Sequence, residues 1–246
     1  MFEAESVGLD AMHATNTVRV PKPLKAGPLP GRGSYIIMEY IEFGASRGQA
    51  ELGRKPAEMH KAGTSEKGFG FPMDNTIGST PQHNSWTDDW LSFYREHRLG
   101  YQLKLAQQQY RDNDVYAKGQ KLLQNMHPLF KDVDISPCLL HGDLWSGNVA
   151  ADKEGNPVVL DPACYCMVAA SYSELFCMIN FLIIRSFFLN TIEAFYLYVM
   201  PKQPGFEQRT NLYKLYHYLN HYNMFGSGYR SSCTDILDRY MRLLSI

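Results

Sequence analysis

Apolar residues that recur every three to four positions predict helices over most of this chain. Such spacing is typical of amphipathic helices that bury one face. The predicted helices cover residues 3–13, 50–61, several stretches of 86–130, a segment aligning Leu212, Leu215, Leu219 and Tyr222, and 234–244. Pro56 lies in the middle of the second helix, so this helix is predicted either to begin at Pro56 or to be kinked there.

Two short apolar runs rich in β-branched residues are typical of strands. They are residues 34–41 (SYIIMEYI) and 157–160 (PVVL). Residues 27–33 are rich in turn formers, and Gly, Pro, Ser, Thr and Asn dominate residues 63–85, which are predicted to be a long loop. The most apolar tract, residues 175–200, is interrupted by polar residues too often for a membrane span and is predicted to be a buried helix.

Composition narrows the class of protein. The chain has 246 residues, 45% hydrophobic and 20% charged, with a net charge of −1. This fits one large domain or two lobes and offers no basic field for nucleic acid or an anionic membrane. Five irregularly spaced cysteines argue against a disulfide framework and favour a reducing compartment. No secretory signal is visible, so we expect a cytoplasmic protein, or a stromal one if a chloroplast transit peptide precedes this sequence.

The most informative stretch is residues 140–148, LHGDLWSGN. Asp143 is followed five positions later by Asn148, and Asp161 follows the strand predicted at 157–160. A lone H-G-D would favour a turn with an Asx cap. The full spacing is instead typical of a phosphotransferase catalytic loop. In such a loop one aspartate accepts the proton of the attacking hydroxyl, while an amide and a second carboxylate bind Mg²⁺.

Other candidate site residues lie within this loop or well before it. His141 and Trp145 are interpreted as residues that shape the loop, with contact to substrate or metal as the alternative for His141. The longer predicted strand is a candidate nucleotide hinge, which would place Glu39, Tyr40 and Ile41 beside an adenine ring. A plain core strand is the alternative there, because periodicity alone does not separate the two.

The string HGDLWSGN, followed by LDPACY, closely resembles the fructosamine-3-kinase family, also called ketosamine or protein-ribulosamine 3-kinases. Further matching pieces include SYIIMEYIEFG, the GSTPQ loop and LYHYLNHYNMFGSGYRSS. The resemblance covers nearly the whole chain except residues 166–198, and its later pieces look most like plant members. It is specific, because aminoglycoside and choline kinases share H-G-D-x-x-x-x-N but neither the LWSGN filling nor the GSTPQ loop.

The resemblance implies an α+β, protein-kinase-like fold of two lobes, with a partial β-rich N-lobe in residues 1–45 and a mainly helical C-lobe in residues 46–246. It implies phosphorylation, by ATP and Mg²⁺, of the 3-hydroxyl of ketosamines on protein lysines or small amines, a deglycating repair activity. Carried onto this sequence, Asp143 resembles the catalytic base. The residues that look like ligands are Asn148 and Asp161 for the metal and Glu5, Glu39, Tyr40 and Ile41 for the nucleotide.

Departures from the family pattern keep alternatives open. The chain begins at the helix carrying Glu5, whereas the family's phosphate loop and strand lysine come earlier, so weak or no activity is expected. An open edge of the N-lobe sheet would favour a homo-oligomer. One alternative is a catalytically inactive binding module. Another is a small-molecule hydroxyl kinase of the aminoglycoside or choline type, with a cation-binding face formed by Tyr213, Tyr216, Tyr218 and Tyr222.

Overall fold

The computed structural model describes residues 1–168 and 186–246. The chain begins with helix α1 (Phe2–Ala14), as the apolar spacing predicted. Leu9 and Met12 are fully buried on its inner face, because residues three positions apart meet on one side of a helix. The first turn carries acidic residues, which the helix dipole favours at an N-terminus.

An antiparallel hairpin follows, formed by β1 (Pro23–Pro28) and β2 (Ser34–Met38). The sequence did not predict β1, because its two prolines and one glycine are typical of turns. The strand predicted over residues 34–41 is correct as far as Met38. Beyond it the chain leaves the ladder, although the Glu39 N–H still donates to the Lys22 carbonyl oxygen at 2.8 Å.

Helices dominate the rest of the described chain. In chain order they are α2 (Gln49–Ala62), α3 (Trp90–Phe93), α4 (Gly100–Tyr110), α5 (Asn113–Asn125), α6 (Ser186–Val199), α7 (Phe206–Phe225) and α8 (Arg230–Leu244). A π-helical segment, Tyr94–Leu99, joins α3 to α4. Among residues 1–168 and 186–246, no helix combines the length and apolar character needed to cross a bilayer.

Helix α2 runs through Pro56 without a break, so the alternative that it begins at Pro56 is wrong. Helix α2 packs against α6. A Cβ on Gly53 would lie 2.3 Å from the Ile192 carbonyl oxygen, so glycine lets the two helices approach closely. His60 Nδ1 and the Tyr196 hydroxyl are hydrogen-bonded at 2.7 Å in the same interface.

The stretch predicted as a long loop contains a second hairpin. Strands β3 (Asn75–Ile77) and β4 (Thr80–Gln82) pair across the two-residue turn Gly78-Ser79. Gly78 has φ +59°, which the first position of a II′ hairpin turn requires. The prediction of one long loop over residues 63–85 is therefore wrong for residues 75–82, and the hairpin's tip lies beside the candidate active site.

Two short antiparallel pairs lie at the centre of the molecule. Strand β5 (Pro137–Leu140) pairs with β8 (Tyr165–Val168), and β6 (Val149–Ala151) pairs with β7 (Pro157–Val159). The strand predicted at 157–160 is thus confirmed to within one residue. Of the apolar tract 175–200, the part 175–185 lies outside the described residues, and α6 accounts for most of the remainder.

The buried carboxylate of Asp112 joins three of the helices. It accepts the Val115 N–H at the start of α5, the Tyr222 hydroxyl of α7 at 3.0 Å, and the Arg230 guanidinium of α8 at 2.6 and 3.0 Å. Its side chain is only 6% exposed. The bonds from Arg230 hold the pKa of Asp112 below its usual range. Asp112 therefore acts both as a helix cap and as the acceptor that ties α5, α7 and α8 together.

Replacing Asp112 by Ala is expected to lower the free energy of unfolding by about 3 kcal/mol, because it removes a cap and leaves buried donors unpaired. Urea denaturation at neutral pH measures this loss. Asp114→Ala is the matched control, since its exposed carboxylate should contribute less than about 1 kcal/mol. A lowered pKa stabilises the fold above the unfolded value of about 3.9, so the difference between wild type and Asp112→Ala should shrink as the pH falls below that value.

Candidate active site

The loop between β5 and β6 carries Asp143 and is closely packed against the segment that follows Asp161. Gly142 has φ +88°, and a Cβ there would lie 2.1 Å from the Ala163 carbonyl oxygen. The Ala163 N–H in turn donates to the His141 carbonyl oxygen at 2.8 Å. Only glycine fits this crossing, which fixes the half-buried Asp143 relative to Asp161.

His141 is fully buried and both of its ring nitrogens bond to the backbone. Nε2 lies 2.8 Å from the Leu160 carbonyl oxygen, and Nδ1 accepts the Asp143 N–H at 3.2 Å. The two contacts together fit a neutral imidazole with its proton on Nε2. These bonds support a loop-shaping role for His141, because they connect the Asp143 backbone to the chain just before Asp161.

Asn148 completes the link between the two aspartates. Its side-chain amide nitrogen donates to the Asp143 backbone carbonyl oxygen at 2.9 Å. The same nitrogen lies 3.4 Å from the Asp161 backbone carbonyl oxygen. The Leu160 N–H donates to the Asn148 carbonyl oxygen at 2.9 Å, continuing the β6–β7 ladder. The hairpin register therefore brings Asn148 and Asp161 to the same end, thirteen residues apart in sequence.

Asp161 and Glu5 face a common cavity of about 370 Å³, which Asp143 also lines. Burial, together with the negative charge of Asp161, raises the pKa of Glu5. Asp161 has φ +53°, a left-handed conformation that aspartate adopts more readily than most residues. Three carboxylates thus line one cavity, although no group of three or more acidic, histidine or cysteine side chains among the described residues is close enough to hold a metal ion by itself.

The donor set fits Mg²⁺ on chemical grounds. The amide nitrogen of Asn148 faces the two backbone carbonyl oxygens, which leaves its amide oxygen on the opposite side of the group. That oxygen and the exposed carboxylate of Asp161 are hard ligands of the kind Mg²⁺ prefers. Protein sites usually supply Mg²⁺ with one or two such ligands, and substrate phosphates and water provide the others.

A second cavity, of about 430 Å³, lies on the other side of Asp143. One wall is a face of α7, and the tip of the β3–β4 hairpin also lines the cavity. Trp145, 42% exposed, and Tyr229 contribute aromatic surface. The polar residues of the α7 face are His217, Asn220 and His221, and Met224 lines the cavity beside them. Burial lowers the pKa of His221, so this histidine is neutral at neutral pH.

The candidate hinge residues do not line either of these cavities. Glu39 accepts from Arg19 at 2.6 Å and from the Lys22 N–H at 3.3 Å. Although burial opposes it, these donors lower the pKa of Glu39. Tyr40 and Ile41 line a separate cavity of about 380 Å³, together with the turn that connects β6 to β7. The structure therefore places the hinge at one end of the β6–β7 hairpin and the aspartates at the other.

The polar residues of α7 were not among the sequence-based candidates. Their positions, 217, 220 and 221, lie at helical spacing on the side away from the leucines, and this signal could have identified them. The tyrosine stripe was considered instead as a cation-binding face, and for three of its four members this is wrong. They are buried in the core at 2–3% exposure, namely Tyr213, Tyr216 and Tyr222.

Comparisons with known proteins show the family and the fold. The family model described as fructosamine kinase matches residues 1–243, which include the segment 166–198 that departs from the motif-level resemblance. The chain is 61% identical over 246 residues to "Protein-ribulosamine 3-kinase, chloroplastic" of Arabidopsis thaliana, covering 99% of this chain and 73% of the relative.

Solved structures show the same fold. A crystal structure assigned as a fructosamine-3-kinase from Thermobifida fusca superposes with a TM-score of 0.81 at 28% identity, covering 98% of this chain and 80% of that one. An aminoglycoside phosphotransferase, APH(4)-Ia in ternary complex with AMP-PNP and hygromycin B, superposes at 0.61 with 18% identity, covering 96% and 82%. The second likeness shows the fold alone, and the predicted kinase-like α+β class is confirmed. The chain belongs to the fructosamine kinase family.

Proposed function

We propose that this chain transfers the γ-phosphoryl group of ATP to the 3-hydroxyl of ketosamines carried by protein lysines or small amines. The observation that supports this most strongly is the position of Asp143 between two cavities. One cavity gathers Asp161 and Glu5, which suits a metal–phosphate group. The other has an aromatic and polar wall, which suits a sugar-like acceptor. Because Asp143 lines both cavities, it lies where the acceptor hydroxyl would meet the phosphoryl group.

On the nucleotide side, the β6–β7 hairpin sets the separation between base and phosphates. Each strand has three residues and spans about 10 Å at the usual rise of a β-strand. The adenine ring would lie at the hinge residues Glu39, Tyr40 and Ile41, at the turn end of the hairpin. Asn148 and Asp161, at the other end, would hold Mg²⁺. When bound, the ion would neutralise the developing charge on the phosphates.

On the acceptor side, Asp143 accepts the proton of the attacking hydroxyl. Its backbone N–H and carbonyl oxygen are bonded to His141 and Asn148, so the backbone that carries the carboxylate is held in place. Among the described residues that line the acceptor cavity there is no lysine or arginine, and Asp143 is the only carboxylate. A ketosamine, whose amine is cationic at neutral pH, therefore suits this cavity better than a sugar phosphate does.

The proposal is tested by incubating the protein with ATP, Mg²⁺ and a peptide bearing a lysine ribulosamine or fructosamine. We expect phosphate on the sugar's 3-position, identified by mass spectrometry and NMR. Turnover of choline or aminoglycosides with no turnover of ketosamines would favour the small-molecule kinase alternative. Ketosamine binding without nucleotide binding, measured by isothermal titration calorimetry, would favour the inactive binding module.

The compartment is part of the proposal. The chloroplast location in the name of the Arabidopsis relative favours the chloroplast stroma over the cytoplasm for this protein as well. Import of the product of the complete coding sequence into isolated chloroplasts tests this. Recovery of the protein only outside the organelle would support the cytoplasmic alternative.

A further inference from the structure

Gln82, at the end of β4, is a buried polar residue with an unusually complete set of bonds. It is 1% exposed. Its amide nitrogen donates to the Asn75 side-chain oxygen at 3.0 Å and lies 3.5 Å from the Ala163 carbonyl oxygen. Its amide oxygen accepts the Tyr216 hydroxyl at 2.6 Å. A buried amide with partners on both ends fixes the relative position of everything it touches.

These partners belong to both halves of the candidate active site. Ala163 lies two residues after Asp161, and Asn75 donates to the carbonyl oxygen of the next residue, Cys164, at 2.8 Å. These contacts to Ala163 and Cys164 therefore hold the segment that directly follows Asp161, the carboxylate on the proposed metal side. Tyr216 is on α7, directly before His217, which lines the acceptor cavity. The hydrogen bond between Tyr216 and Gln82 therefore holds α7, which forms one wall of the acceptor cavity.

The β3–β4 hairpin, of which Gln82 and Asn75 are the two ends, also reaches between the cavities. Gly78 at its tip lines both of them. A Cβ on Gly78 would lie 2.5 Å from Met224 Cε, so the tip is in contact with α7. The hairpin is thus bonded to the metal-side segment at its base and touches the acceptor wall at its tip.

We infer that Gln82 is a positioning residue that sets the separation between Asp161 and the acceptor-binding face of α7. The inference rests on the proposed phosphotransfer function. In-line transfer requires the acceptor hydroxyl and the phosphoryl group to meet at a defined distance. Within the described part of the chain, Gln82 contacts both sides, since its amide nitrogen lies 3.5 Å from the Ala163 carbonyl oxygen and its amide oxygen accepts the Tyr216 hydroxyl. It lines neither cavity, so it acts through the groups it positions.

The chain offers a matched pair of variants for this test. Tyr216→Phe removes the hydroxyl that bonds to Gln82. Tyr213→Phe removes a hydroxyl one turn earlier on α7 that is equally buried but has no hydrogen-bond partner within the described residues. We expect Tyr216→Phe to raise the KM for the ketosamine about fivefold to tenfold, the usual effect of losing one buried hydrogen bond. The Kd for Mg²⁺–AMP-PNP should be unchanged, and Tyr213→Phe should change neither constant by more than about twofold.

Gln82→Met keeps the size of the side chain and removes the hydrogen bonds of both its amide nitrogen and its amide oxygen. It should raise the ketosamine KM as Tyr216→Phe does. It should also weaken the binding of Mn²⁺–AMP-PNP, which electron paramagnetic resonance measures. In the double variant, which combines Gln82→Met with Tyr216→Phe, the ketosamine KM should be no higher than in Gln82→Met alone, because both substitutions remove the same hydrogen bond. Thermal denaturation of every variant separates these effects from general loss of stability.

The inference is overturned if Tyr216→Phe and Tyr213→Phe give the same KM, or if Gln82→Met changes only the melting temperature. A wild-type protein that neither binds nor phosphorylates ketosamines would instead contradict the proposed function. In that case amide hydrogen exchange tests the coupling itself. Gln82→Met should accelerate exchange of the Ala163 N–H, and Tyr213→Phe should not. Equal exchange in wild type and Gln82→Met would refute the positioning role.

Discussion

Replacing Asp143 by Asn is expected to lower kcat for ketosamine phosphorylation by about 10²- to 10⁴-fold, the usual contribution of a general base. An amide cannot accept the hydroxyl proton, yet it has nearly the same size as the carboxylate. The loop should remain folded, since its hydrogen bonds to His141 and Asn148 use the backbone N–H and carbonyl oxygen of Asp143. Steady-state kinetics with a ribulosamine peptide measures the effect.

The binding constants provide the control for this variant. Asp143→Asn should bind Mg²⁺–AMP-PNP within about threefold of wild type, because the proposed metal ligands are Asn148 and Asp161. Its melting temperature should also stay close to that of wild type. A kcat that falls less than tenfold would show that Asp143 is not the base, even if the family assignment stands.

The second large effect is expected at Gly142. Gly142→Ala should lower the free energy of unfolding by about 3 kcal/mol or more, or displace the loop, because φ is +88° and the new Cβ would lie 2.1 Å from the Ala163 carbonyl oxygen. If the loop moves and the fold survives, kcat should fall by about 10²-fold, since displacement of a catalytic group by about 1 Å has that effect. Urea denaturation and kinetics together distinguish the two outcomes.

Gly31→Ala is the matched control for backbone strain. Gly31 also has positive φ, +97°, but no atom lies within 4 Å of the position that a Cβ would occupy there. It should therefore show the conformational cost alone, about 1–2 kcal/mol, and leave kcat unchanged. Equal losses of stability in Gly31→Ala and Gly142→Ala would contradict the close crossing between the loop and Ala163.

The sequence was sufficient for the features of the candidate site and of the fold that depend on local spacing. Asp143, Asn148 and Asp161 were identified because a loop and a short strand fix their separation along the chain, and the β6–β7 register then brings two of them together. Helix α1 was predicted for the same reason, since its apolar spacing is a local property. The kinase-like fold followed from the resemblance of the motifs.

The sequence was insufficient where long-range contacts decide. Strand β1 is rich in proline and glycine, and only its pairing with β2 makes it a strand. The β3–β4 hairpin is held by buried bonds from Asn75 and Gln82 to residues more than 80 positions away, although its Gly78-Ser79 turn was a local signal. The polar residues of α7 likewise become site candidates only because the folded chain places them in the wall of a cavity.

The central claim is that Asn148 and Asp161 bind one metal ion together with the nucleotide. It is tested most directly by titrating Mn²⁺ into the protein with AMP-PNP and following the free ion by electron paramagnetic resonance. Asp235→Asn is the control, because Asp235 is an exposed aspartate of α8 that lines none of the cavities described above. We expect Asp161→Asn to weaken Mn²⁺ binding at least about tenfold, as loss of an ionic ligand does, and Asp235→Asn to leave it unchanged. Equal Mn²⁺ affinity in wild type and Asp161→Asn would contradict the claim.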